Sequence, residues 1–192
     1  MNFNEYQLLA LRTAKMFHSQ RQNLRHAILG LITELGEFAT EVKRHVIYGK
    51  PLTPEMVSHM IEEGGDAMWY VPLLMFSIGA DELVAPSEEF LQEVPSDPGD
   101  ACVFLGAMVG GLSAWFVAPR SFGDPQDTET LVELVSIMIH TFDHVFAPLL
   151  GTTGDEMRAR NIAKLRLRYP DKYSDEAAEA RADKGGLPAT LS

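Results

Sequence analysis

Residues 26–37 read HAILGLITELGE, and residues 62–70 read EEGGDAMWY. Apolar side chains recur in both at helical spacing, and strand-like alternation is absent. Glu34 and Glu37 stand three apart, as do Glu63 and Asp66, so each pair projects from one helical face. Strongly apolar sequence flanks them, residues 27–32 before the first pair and 67–78 after the second. Carboxylates at the edge of an apolar core repel one another and are costly to desolvate. A bound divalent cation removes both penalties, and magnesium suits an all-oxygen set that keeps waters for a phosphate substrate. One such pair is common on solvated helix faces. Two pairs on adjacent long helices predict that four carboxylates meet at one end of an antiparallel bundle. Glu41 is a candidate to support them from behind, and Glu62 reads as a solvated neighbour.

Working outward, residues 4–20 read as an amphipathic helix and 23–46 as a long one, broken by Tyr48-Gly49-Lys50-Pro51. Thr53 is a natural N-cap with Pro54 at the first helical position of a helix reaching Ile78, with a kink or new turn at Pro72. A Pro/Ser/Asp loop covers 94–100, and a breaker runs from Pro119 to Asp127. Further helices are expected over 128–150 and 155–168, then a charged, fraying tail. The expected fold is one all-α domain over residues 1–192, an antiparallel helix bundle.

The run Ala101–Ala118 carries no charge and is just long enough to span a membrane. It contains Gly106, Gly110 and Gly111, and no basic cluster sets a topology. A buried bundle helix is the expected reading. The N-terminal residues lack the apolar stretch of a signal peptide, which points to the cytoplasm. Cys102 is the single cysteine and reads as an inert core thiol, so no internal disulfide forms.

The net charge is −11. Residues 1–50 hold seven basic and four acidic side chains, 51–157 one and eighteen, and 158–192 eight and five. That balance argues against nucleic acid as a partner. It leaves room for a small anion near the basic end. There Asn161, Lys164 and Arg168 share one helical face, and Tyr169 follows.

The segments 26–37, 48–51 (YGKP) and 62–70, followed by residues 161–170 (NIAKLRLRYP), resemble the MazG-type all-α nucleoside triphosphate pyrophosphohydrolases, particularly compact bacterial and phage members. The likeness covers residues 20–80 and 155–182. It implies magnesium-dependent cleavage between the α- and β-phosphates of a nucleoside triphosphate, with manganese as a possible substitute. Glu34, Glu37, Glu63 and Asp66 would hold the metal. A water oriented by the metal or a carboxylate would attack the α-phosphorus, with Glu34 or Glu37 taking its proton. Asn161, Lys164, Arg168, Tyr169 and Lys50 would contact the substrate, with Lys43 a secondary phosphate candidate. The compact relatives imply a homo-oligomer, dimer or tetramer, and the phage ones imply nucleotide-pool remodelling, with a purine such as dGTP as substrate. If the chain is of phage origin, the setting is the host cytoplasm.

About 70 residues separate the second acidic helix from the basic end, more than in compact members. They echo the first half at offsets of 74 to 77 residues. Residues 101–156 are therefore expected to be a degenerate copy of 26–82, related by a local twofold. In that register Gly110 replaces Glu34, Ser113 replaces Glu37, His140 replaces Glu63, and Asp143 matches Asp66. His140 and His144 stand four apart but lack the Glu and third ligand of a zinc site, which favours packing. Phe17 and His18 are candidates for a base pocket, and Trp69 and Tyr70 for core or pocket wall. The competing reading is a non-catalytic helical interaction module.

Overall fold

The computed structural model describes residues 1–118 and 125–181, and every regular element among them is helical. The breaker at 119–124, including Arg120 and most of the echo of YGKP, lies outside the described residues, as does the tail at 182–192.

The first helix, α1 (Phe3–Arg12), is shorter than expected. Thr13 stops it, because its hydroxyl donates back to the Ala10 carbonyl at 2.8 Å and accepts the Trp69 indole N–H at 3.0 Å. The chain then runs irregularly to α2 (Gln20–Val46), with Asn23 bonding both the Phe17 N–H and its carbonyl. This break brings Lys15 and Phe17 beside His26 and Trp69 rather than along a continuous α1.

Helix α3 (Pro54–Ile78) begins as the sequence requires, with Thr53 accepting from the Met56 N–H and Pro54 opening the first turn. Pro72 lies inside it, and the helix continues unbroken to Gly79, which takes a left-handed φ of 76°. Facing contacts run Gly30 to Tyr70, Glu34 to Glu63 and Glu41 to His59, so α2 and α3 are antiparallel. Their shared side is the core, filled by Leu31, Phe38, Met60 and Met68 among others.

A short helix absent from the sequence reading, α4 (Glu88–Glu93), precedes α5 (Pro98–Val117). Asp97 caps α5 with two backbone N–H bonds, so the helix starts inside the expected loop. α5 packs against α2 and α6 and buries Ala101, Leu105, Val109 and Leu112. Contrary to expectation it is not a buried helix, since only 22% of its apolar 18-residue window is buried. Val103 and Val117 are exposed, and a Cβ at Gly106 or Gly110 would meet nothing within 4 Å. Two stretches, Pro98–Val117 and Gln126–Leu149, are long and apolar enough to cross a membrane, the second being 61% buried.

The helix expected over 128–150 is interrupted. α6 (Pro125–Thr141) passes into a π-helical turn (Phe142–Phe146) and then α7 (Ala147–Leu149). Pro148 has no N–H and its ring crowds the carbonyl four residues back, so the wider turn takes up the misfit. Helix α8 (Gly154–Arg168) opens with a full capping box between Thr153 and Glu156 and lies against α3 and α1. α9 (Asp175–Ala180) follows.

Glycines set the approach of α8 to α3. A Cβ on Gly65 would stand 3.1 Å from Asn161 Cβ and 3.4 Å from the Met157 carbonyl, and one on Gly64 would stand 2.6 Å from Met157 Cε. The two glycines between Glu63 and Asp66 therefore let a third helix reach the acidic end of the pair. Arg158 locks α8 to the π-turn. It is 4% exposed, bonds both oxygens of Asp143 at 2.8 and 3.1 Å, and reaches Asp155 at 2.8 Å.

Candidate functional site

The antiparallel pair places two overlapping sets of ligand-type atoms side by side. Oxygens of Glu34, Glu63 and Asp66 lie within 4.8 Å of one another, and so do atoms of Glu37, His59 and Glu63. Glu37 groups with His59 and Glu63 rather than with Glu34 and Asp66 in the single set of four expected from spacing. It faces the next turn of α3, where Glu63 is the common member.

Charge and burial fit a cation at the first group. Burial, then the Asp66 charge and the neighbouring Glu63 and Glu37, push the Glu34 carboxyl up to about 7. With its proton retained, Glu34 hydrogen-bonds Glu63. Burial, chiefly, also raises Glu63, and it raises Asp66 despite the ammonium of Lys164 beside it. Three acids held above their ordinary range at one point form a site short of positive charge. Among protein groups, Lys164 meets part of that demand. Its Nζ contacts both Asp66 oxygens and lies 3.3 Å from Glu62 Oε1. Glu62 thus belongs to the site's ion-pair network rather than to the solvated face expected for it.

Asn161 is not poised for substrate. It is 4% exposed, and its amide is used within the fold, donating to Asp66 at 2.6 Å and accepting from the Tyr6 hydroxyl at 3.0 Å. Its observed role is to hold Asp66 in place. Tyr169, 5% exposed, caps the end of α8 and packs 5.5 Å from the Tyr173 ring.

A cleft of about 220 Å³ opens directly beside Glu34 and Asp66. Phe17, His26, Trp69 and Tyr70 form an aromatic wall, with His26 edge-on to the other three rings. Lys164, Arg168 and Tyr169 close it from α8, and Lys15 and Tyr173 line its mouth. Burial lowers the His26 imidazole below its ordinary range, and its Nδ1 has no hydrogen-bond partner. Gly30 makes room for this wall, since a Cβ there would stand 2.1 Å from the Tyr70 ring. Of the two base-pocket candidates Phe17 lines the cleft, whereas His18 is exposed and does not. Lys15, His26 and Tyr173 escaped the sequence reading. The break after Thr13 carries Lys15 there and the return of the chain past Tyr169 carries Tyr173, and neither has a motif, whereas His26 stands on α2 itself, two turns before Glu34.

Lys50 is also elsewhere. It lines a separate shallow cleft with Arg44, Glu41 and His59 beyond the loop joining α2 to α3. His140 and His144 lie with ring centroids 4.1 Å apart, and among the described residues neither belongs to a three-ligand group. Cys102 is half-buried against the core rather than within it, and burial pushes its thiol up to about 11, away from the thiolate form at neutral pH.

No family model, curated protein or solved structure matches the chain. The functional reading therefore rests on the site itself.

Proposed function

We propose that the chain is a magnesium-dependent nucleoside triphosphate pyrophosphohydrolase with a MazG-like bundle, acting in the cytoplasm on the nucleotide pool. The observation that carries this reading is the contact between an under-neutralised carboxylate group and a cleft that is aromatic on one wall and cationic on the other. A nucleoside triphosphate has the same sequence of chemistries: a flat base, an electrophilic phosphorus and a polyanionic end.

The donor set of Glu34, Glu63 and Asp66 suits a hard divalent cation, which would neutralise phosphate charge and acidify water when bound. The chain's own groups do the rest. Trp69, Tyr70 and His26 hold the base. Arg168 and Lys164 hold phosphate oxygens, Lys164 exchanging Asp66 for substrate. Glu34, which lines the cleft as Glu37 does not, takes the proton of the attacking water. The water oxygen bonds to the α-phosphorus as the bond from that phosphorus to the bridging oxygen breaks. The products are a nucleoside monophosphate and pyrophosphate. A purine deoxynucleotide such as dGTP remains the preferred substrate.

The test is pyrophosphate release from each common ribo- and deoxyribonucleoside triphosphate and dUTP, with magnesium and with chelator. Release from at least one substrate that stops with chelator is expected. Absence of release across the panel, with magnesium and with manganese, rejects the reading.

One observation favours a second reading. α5 shows solvent a face without charge, and a folded monomer seldom leaves an apolar patch of that kind open. A non-catalytic module that uses this face to bind a partner, or a dimer or tetramer of the enzyme formed through it, would cover it. Sedimentation of the chain alone separates the two readings.

A further inference from the structure

We propose that His59 is a nitrogen ligand of a second metal position, completed by Glu37 and Glu63, and that this position takes an imidazole-accepting ion such as manganese in preference to magnesium. The proposal rests on the reading of the acidic group as a metal centre, but not on the reaction assigned to it.

Four side chains form a ladder across α2 and α3. α2 contributes Glu37 and Glu41, four residues apart, and α3 contributes His59 and Glu63 at the same spacing. His59 Nε2 lies 2.9 Å from Glu63 Oε1, and Glu37 offers an oxygen within 4.8 Å of both. Two donors 2.9 Å apart that each sit about 2.1 Å from a common ion subtend about 90°, the cis angle of an octahedral site. The other face of the imidazole is also provided for. Nδ1 lies 3.5 Å from Glu41 Oε1, so that carboxylate can hold the ring from behind when an ion takes the place of the proton that Nε2 shares with Glu63 at 2.9 Å. A histidine ligand held from behind by a carboxylate is the usual arrangement at metal sites. Glu41 is itself fixed, being 6% exposed and gripped through both oxygens by Arg44 at 3.0 and 2.9 Å. Nothing in the proposed hydrolysis uses Glu41 or His59. Arg44 neutralises Glu41 and fixes it where it can orient an imidazole ligand.

His59 is 44% exposed and borders the shallow cleft of Lys50, so waters can complete the coordination shell. Imidazole suits zinc, iron and nickel, and magnesium keeps to oxygen donors; manganese, an oxygen-preferring ion as well, takes a single imidazole into a mixed octahedral set. The two positions would then differ in kind, one all-carboxylate and one mixed, with Glu63 shared.

The experiment loads the full chain with Mn²⁺, without nucleotide, and records electron spin-echo modulation from ¹⁴N together with the number of ions bound. The expected result is two ions per chain and a clear ¹⁴N coupling. His59→Gln should abolish the coupling and remove one ion while helicity by circular dichroism is retained. Glu41→Gln should keep the coupling but weaken that ion about tenfold or more. Asp66→Asn should weaken the other ion and leave the coupling. A wild-type chain that binds Mn²⁺ without ¹⁴N coupling, binds none, or shows the same coupling after His59→Gln overturns the proposal. A chain that shows the coupling but hydrolyses no triphosphate keeps this metal position and loses the proposed reaction instead.

Discussion

Two aspartates, Asp66 on α3 and Asp143 in the π-turn, each bind a cation of α8, and the two contacts differ in what surrounds them. Asp143 and Asp155 meet Arg158, a 4% exposed guanidinium, and the N-terminal ammonium lies 3.6 Å from Asp155, so two acids face two cations within the fold. Asp66 meets Lys164 amid Glu34, Glu63 and Glu62, so acids outnumber bases at the edge of an open cleft. The contrast extends to the helix pairs. α2 and α3 carry carboxylates into their shared side, whereas α5 has no charge after Asp100, and Ser113 bonds the Val109 carbonyl of its own helix. A closed ion pair fastens helices together. An over-acidic one leaves a demand for positive charge that a ligand can meet, and this is what separates a candidate site from a structural clamp.

The sharpest way to break that comparison is to neutralise each member. Glu34→Gln or Asp66→Asn should lower metal-dependent pyrophosphate release by at least about a hundredfold, with helicity retained. Ser113→Ala and His140→Ala, at the positions of the proposed repeat that match Glu37 and Glu63, should change it by less than about twofold. Equal effects in the two pairs would erase the distinction.

Glycine substitutions give the next largest effect, of opposite sign in the two regions. Gly65→Val must push α8 from α3 and should destabilise by about 1–3 kcal/mol in chemical denaturation. Gly110→Ala meets open space and should stabilise by about 0.5–1 kcal/mol, because it removes a flexible residue from a helix. Destabilisation by Gly110→Ala that depends on protein concentration would instead mark α5 as a contact face.

The smallest effect is the pH dependence of the metal-free chain. Glu34 titrates near 4.5 when unfolded and near 7 when folded, so its contribution is fully favourable below about 4.5 and is lost as pH rises through about 7. The melting temperature of the chelated protein should therefore fall between about pH 5 and 8, and magnesium should flatten the fall. A chelated protein whose melting temperature rises over that window contradicts the assigned strain.

Helical periodicity, the Thr53-Pro54 cap and the spacing of Glu34, Glu37, Glu63 and Asp66 were enough to read an all-helical chain with two acidic faces on adjacent helices. These are local signals: capping and face are set by residues three or four apart, whatever the rest of the molecule does. Tertiary structure decided the rest, because distance between helices is not written in spacing. It split Glu37 from the Glu34 group, turned Asn161 inward to hold Asp66, moved Lys50 to another cleft and brought Lys15, His26 and Tyr173 to the site. It also left α5 exposed, although its composition reads as core. Hydrophobicity says that a helix gains by burial, but only packing says whether this chain supplies the cover.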